Sequence, residues 1–173
     1  MEKIMLTGNI FFYRINGADI GIADNGSAIV GVIFDRRRRD ARFAGLKKAG
    51  GFVKAETPLI QKAAAQIKEY FEGKRTQFKL PLAPHGTEFQ LAVWRALQDI
   101  PYGETRSYKE IAATIGRPKA VRAVGMANNR NPISIIVPCH RVIGHDGKLV
   151  GYGGGLPLKQ HLLELERLVV LGR

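Results

Sequence analysis

Ser107-Tyr108-Lys109-Glu110-Ile111-Ala112-Ala113-Thr114-Ile115-Gly116-Arg117-Pro118-Lys119-Ala120-Val121-Arg122-Ala123-Val124-Gly125-Met126-Ala127 reads as two short helices joined by a tight turn. Ser107 and Glu110 form a capping box that opens the first helix. Gly116 ends it, and Pro118 is expected at the first position of the second. Such a pair is helix-turn-helix geometry. Val121 and Val124 can face a core. Ala120, Ala123, Gly125 and Ala127 are small, so this helix could approach a groove closely or pack tightly on another helix. Arg122 stands among them as one long cationic probe, and Arg117, Lys119 and Arg130 can reach phosphates. A formal net charge of +12 tilts the choice toward nucleic acid.

Upstream, Thr87-Glu88-Phe89-Gln90 is another capping box. It predicts a helix running to about Asp99, with Phe89, Val93, Ala96, Leu97 and Ile100 on its buried stripe and Trp94 in core or interdomain packing. The first third looks different. Asn9–Ile15, Ala18–Ala23 and Ala28–Phe34 are strand-like, and the turns Asn16-Gly17 and Asp24-Asn25-Gly26 permit positive φ. Thr57, Pro58 and Gly73 bracket a helix whose apolar positions include Ile60, Ala63, Ile67 and Tyr70. Phe78–Pro84 reads as an extended linker. The expectation is an α/β (α+β) chain of two domains. Residues 1–85 would hold a three-stranded antiparallel sheet with helices, and residues 86–173 a mainly helical, winged-helix or helix-turn-helix-like domain.

Downstream, Asn128-Asn129-Arg130-Asn131-Pro132 turns the chain toward its sole cysteine, in Val137-Pro138-Cys139-His140-Arg141-Val142. A lone cysteine after a strand is ordinarily buried filler. Here an imidazole and a guanidinium follow at once, and both favour the reactive thiolate. In an extended strand Cys139 and His140 would face opposite ways, so either Pro138 breaks the strand or a water bridges the two. A base also needs an orienting group. The terminal helix, opened by Pro157 and striped by Leu158, Leu162, Leu165 and Val169, offers Glu166 at the edge of the stripe. Spacing alone slightly favours a surface ion pair for Glu166. Glu164 and Arg167 are expected in solvent. Gly144–Gly155 is a glycine-rich loop without a phosphate-cradling pattern. Its Tyr152 suits either the wall of a flat ligand's pocket or plain packing.

A single cysteine excludes an internal disulfide and multi-cysteine metal clusters. No stretch approaches the roughly 18 apolar residues of a membrane helix, and the N-terminus lacks a signal-peptide core. A soluble protein of a reducing compartment is expected. The run Arg36–Arg39, flanked by Asp35 and Asp40, reads as a solvated turn.

Several motifs follow one another in a recognisable order: Pro101-Tyr102-Gly103-Glu104-Thr105, Ser107-Tyr108, Gly116–Gly125, Asn131-Pro132, Pro138-Cys139-His140-Arg141-Val142 and Gly151-Tyr152-Gly153-Gly154. Over about residues 87–167 the chain resembles the O6-alkylguanine-DNA alkyltransferases. The first half is similar only in size and plan, which the resemblance reads as ribonuclease H-like. The resemblance implies a suicide repair protein that flips O6-alkylguanine, such as O6-methylguanine, and also O4-alkylthymine, out of duplex DNA. Cys139 would be the acceptor, His140 the water-bridged base and Glu166 its orienting carboxylate. Asn131 would pin the turn, and Tyr108 would donate to the base. Arg122 would fill the vacated stack. Ser107, Arg117, Lys119, Ala120, Ala123, Gly125 and Arg130 would meet DNA in the minor groove. Tyr152, Gly153, Gly154, Val142 and Pro138 would line the lesion pocket. A monomer, cytoplasmic and nucleoid-associated, is implied, with no cofactor and no metal. Two departures stand out. Gly153 replaces a serine present in some relatives, and the zinc-binding cysteines of others are missing, which leaves His85 structural. Two alternatives remain: a helix-turn-helix protein that binds DNA without chemistry, and a cysteine hydrolase.

Overall fold

Asn16 and Gly17 take φ of 48° and 76° and fold Gly8–Ile15 (β1) back on Ala18–Asp24 (β2) in register Phe11↔Ile22, Tyr13↔Ile20. This computed structural model describes residues 7–34 and 51–173; the Arg36–Arg39 run lies outside them. Ile29–Phe34 (β3) pairs antiparallel with β2. Among the described residues the sheet has four strands rather than the expected three. Phe52–Lys54 (β4) adds parallel to β1, giving the order β3-β2-β1-β4. A strand of three residues with little alternation leaves a faint sequence signal.

Pro58–Phe71 (α1) starts where Thr57 accepts a hydrogen bond from Ile60 N and buries Ile60, Ala63, Ile67 and Tyr70. The segment expected as a free linker is tied to the sheet: Ile29 N donates to Pro81 O and Ala83 N to Ile29 O, both at 2.9 Å. The same strand holds the second half. Val32 N donates to Pro132 O (2.8 Å), and Ser134 N donates to Val32 O (3.0 Å). So β3 positions the segment that leads to Cys139.

Glu88–Gln98 (α2) carries the complete Thr87/Gln90 capping box. Trp94 is buried and donates from Nε1 to Ala127 O at 2.9 Å, which satisfies the polar handle of a buried indole. Arg106–Ser107 (β5) leads into Tyr108–Thr114 (α3), with both bonds of the Ser107/Glu110 box present. The next helix, Val121–Asn129 (α4), begins later than expected. Ala120 N bonds to Arg117 O at 2.8 Å, so Pro118 and Lys119 form a turn. Proline suits the second position of such a turn as well as a helix start. A short 3-10 turn, Cys139–Arg141, precedes Val142–Ile143 (β6), which pairs with β5. Leu156–Val170 (α5) closes the fold. One hydrophobic cluster runs from Ile20, Ile22 and Ile67 through Trp94, Leu97 and Ile133 to Cys139 and Leu162.

Candidate active site and nucleic-acid face

Two tight turns deliver the thiol. Ile136 N bonds to Ser134 O (2.9 Å) around Ile135, and Cys139 N to Val137 O (2.8 Å) around Pro138. Ile135 has φ 71° and is almost fully buried. A β-branched residue there stores backbone strain of about 1–3 kcal/mol, which the surroundings must hold. They do. Asn131 Nδ2 donates to Val137 O (2.8 Å), and its Oδ1 accepts from Ile133 N (3.0 Å). Asn128 Nδ2 donates to Cys139 O (3.2 Å). Pro138 therefore breaks the strand, and Cys139 and His140 lie on one turn. Cys139 is 3% exposed. It lies within electrostatic reach of Tyr108, Tyr152 and Lys159, so polar groups as well as hydrocarbon surround it.

Glu166 is fully buried, which overturns the surface ion pair that its spacing favoured. An isolated buried carboxylate costs several kcal/mol, so it needs strong partners. Oε1 lies 2.8 Å from His140 Nε2, and accepts from Tyr70 Oη (2.7 Å) and Arg141 Nη2 (2.9 Å). Oε2 accepts from Arg141 Nε (2.9 Å) and Gly103 N (2.9 Å). Gly103 has φ 80°, and a Cβ there would meet Val170 at 2.6 Å, so only glycine brings this N–H in. Arg141 spends Nη1 on Ile100 O (2.6 Å). Burial would raise the Glu166 pKa, but the bonds from His140 and Arg141 outweigh it and hold it at about 2. His140 is fully buried, and burial pushes its pKa down against the pull of Glu166. Burial thus favours the neutral imidazole beside an ionised carboxylate.

Lys159, fully buried on α5, donates to Val142 O (2.6 Å) and Val150 O (2.8 Å). Burial lowers its pKa to about 8. Tyr70, Lys159 and Asn128 are the site's additions to the residues singled out from sequence, and Arg141, expected beside the thiol, is spent on Glu166 and Ile100 O instead. Arg141 stood next to the thiol, but its partner lay in a distant helix. Lys159 sits one residue from Leu158 on the apolar stripe, and a cation there was the available signal. Glu164 and Arg167 pair in solvent as expected.

The lesion-pocket residues divide. Val142 and Pro138 are buried beside the 3-10 turn. Tyr152 is buried with its ring 6.4 Å from that of His140, and burial raises its phenol pKa well above the usual range. Gly154 lies under it: a Cβ there would come within 2.8 Å of the Tyr152 ring. Gly153 is exposed. Pro138 lines a cavity of about 610 Å³ with Tyr102, Ile136 and Arg141. Gly154 borders another of about 430 Å³ against Arg14 and Phe34. The Tyr108 hydroxyl donates to Val150 O at 3.2 Å.

On α4, Arg122, Ala123, Met126, Asn129 and Arg130 form one exposed stripe, while Val124, Ala127 and Asn128 are buried. Ala127 is thus a core residue and not part of an open face. Ala120 and Gly125 are half-buried, and Arg117 and Lys119 are exposed. Ser107 is half-buried at the cap of α3. Among the described residues no helix is long and apolar enough to cross a membrane.

A helix-turn-helix stands beside a buried Cys-His-Glu set, and the comparisons give the class. The family models for the 6-O-methylguanine DNA methyltransferase DNA binding domain and ribonuclease-like domain match residues 88–168 and 19–84. A methylated-DNA–protein-cysteine methyltransferase of Mycobacterium leprae is 50% identical, over 87% of each chain. One from Methanosarcina barkeri is 65% identical over 62% of this chain and 68% of its own. The crystal structure of the Mycobacterium tuberculosis O6-methylguanine methyltransferase superposes with a TM-score of 0.81 at 42% identity, over 93% of both chains. A Mycobacterium tuberculosis OGT structure in complex with DNA gives the same TM-score and identity, over 93% of this chain and 94% of that one. The chain belongs to the 6-O-methylguanine DNA methyltransferase family.

Proposed function

We propose that this protein is a single-turnover methylated-DNA–protein-cysteine S-methyltransferase. It binds duplex DNA as a monomer through the minor groove and flips an O6-alkylated guanine, or O4-alkylthymine, toward Cys139. Family membership carries the coarser part, DNA repair by alkyl transfer. What supports the finer part is the Cys139–His140–Glu166 arrangement. The Nδ1 of His140 is buried without a protein partner, while Nε2 faces Glu166. A water bridging Nδ1 to the sulfur would let His140 take the thiol proton.

The thiolate attacks the alkyl carbon. The S–C bond forms and the C–O6 bond breaks. The proton lost by sulfur is matched by the one the released guanine gains on its ring. Tyr108 would turn its one hydrogen from Val150 O to the leaving base. Asn131 holds the turn that aims the sulfur. Flipping costs a few kcal/mol, which Arg122 in the vacated stack and phosphate contacts from Arg117, Lys119 and Arg130 offset. Ala120, Ala123 and Gly125 let the helix approach closely, and Ser107 reaches the backbone beside them. Tyr152, Gly153, Gly154, Val142 and Pro138 enclose the base. The chemistry calls for no metal or cofactor. The division at residues 85/86 and a cytoplasmic, nucleoid-associated setting belong to the same proposal.

Cys139→Ala is the test. The variant is expected to bind lesion-bearing duplex with wild-type affinity and remove no alkyl group. Retained transfer would place the acceptor elsewhere.

A further inference from the structure

Tyr70 enters the site from the first half of the chain, on α1, and the transfer as proposed above does not use it. Its ring is fully buried, edge-on to Phe71 at 5.9 Å, Tyr102 at 6.0 Å and His140 at 6.4 Å. Its hydroxyl lies 2.7 Å from Glu166 Oε1 and 3.3 Å from His140 Nε2. A phenol has one hydrogen to give, and here the carboxylate takes it. Burial and the Glu166 charge push the Tyr70 pKa far up, so that hydrogen stays in place. What Tyr70 turns toward His140 is a lone pair. Nε2 therefore meets only acceptors, Glu166 Oε1 at 2.8 Å and Tyr70 Oη at 3.3 Å. An unprotonated Nε2 would face lone pairs from both sides. The neutral ring must carry its hydrogen there, and Nδ1 is left bare.

We propose that Tyr70 is a positioning residue for alkyl transfer. Its hydroxyl fixes the Nε2–H tautomer of His140 and shares the Glu166 carboxylate, leaving Nδ1 as the proton acceptor. The idea rests on the transfer reaction proposed above, and it gives the first half of the chain a direct part in the site. The groups that face His140 are Glu166 and Lys159 from α5, Arg141 beside it, Tyr70 from α1 and Tyr152 from the glycine-rich loop. Removing the Tyr70 hydroxyl frees a lone pair of Oε1 for the imidazole. The imidazolium is then better stabilised, and the ring loses one restraint.

Tyr70→Phe is expected to slow methyl transfer to Cys139 about tenfold, to leave duplex affinity unchanged, and to move the pH–rate profile to higher pH. Tyr102→Phe removes a neighbouring buried hydroxyl that reaches no protein partner. It should keep the wild-type rate and profile, which separates the bond to Glu166 from general packing. Nitrogen-15 NMR of histidine-labelled wild-type protein reads the tautomer directly, with Nε2 protonated expected. That measurement can overturn the role even if Tyr70→Phe does not fold, whereas wild-type protein that transfers nothing would sink the transfer proposal itself. A Tyr70→Phe protein with wild-type rate and profile, or a His140 protonated on Nδ1, would overturn the role given to Tyr70.

Discussion

Among the described residues each half of the chain fully buries one carboxylate, and the two are held in opposite ways. Asp24 accepts from Asn9 Nδ2 at 2.9 Å, Gly26 N at 3.0 Å and the Thr57 hydroxyl. Those donors are neutral. They join β1, the β2–β3 turn and the cap of α1. Glu166 accepts from a guanidinium, an imidazole, a phenol and a backbone N–H. Neutral donors make a clasp that serves the fold. A cation and a titratable ring around the same group make a device that can also handle protons. Burial alone does not separate the two, but the partners do.

The largest effect is expected from Glu166→Gln. It leaves Arg141 buried without its charge partner, a loss of about 3–5 kcal/mol. Urea unfolding should show it, and alkyl transfer should disappear with it. A cost no larger than the roughly 1–3 kcal/mol of a neutral hydrogen-bonded clasp would place the two carboxylates in one class. Acid comes next. The Glu166 pKa in the folded chain is about 2, against an ordinary value of 4.5. Its contribution, about 3 kcal/mol, is complete above pH 4.5 and is lost as pH falls from there toward 2. His140 works in the same direction. Its pKa is depressed from 6.5, so below pH 6.5 the unfolded chain takes up a proton that the folded chain refuses. Stability followed against pH should therefore fall on the acid side, and Glu166→Gln should lack the Glu166 share of that fall below pH 4.5.

Asp24→Asn is a smaller perturbation. It weakens a neutral clasp by about 1–3 kcal/mol, and the folded fraction should transfer alkyl groups at the wild-type rate. A slowed transfer would show that the clasp reaches the site. Arg122→Ala is expected to be the mildest for stability, within about 0.5 kcal/mol, because the side chain is exposed. Its effect should appear in function: transfer from duplex DNA drops, while transfer from a free O6-alkylguanine base holds. Equal loss on both substrates would remove Arg122 from the DNA face.

Much of this was legible in the sequence because local rules governed it. Capping boxes at Thr87 and Ser107, the Asn16-Gly17 turn and the α1 periodicity act within a few residues, and each appears where expected. Cys139, His140 and Asn131 share one short stretch and were legible together. The rest depended on distant pairing. Glu166 meets Arg141 across 25 residues of chain, and Tyr70 meets Glu166 across 96. No spacing rule links such positions, so a carboxylate on a leucine stripe read as a surface ion pair. Pro118 misled for a local reason, since proline fits a turn as readily as a helix start. Phe78–Pro84 looked like free linker because its backbone partner, Ile29, lies far upstream.

Repair by this protein requires the sulfur of Cys139 to capture carbon. Wild-type protein mixed with excess O6-methylguanine duplex, digested and weighed by mass spectrometry, gives the most direct answer. The peptide containing Cys139 is expected to gain one methyl, about 14 Da, in one equivalent per chain. An unmodified Cys139 peptide from protein that has bound the duplex, or a methyl found on any other residue, would contradict it.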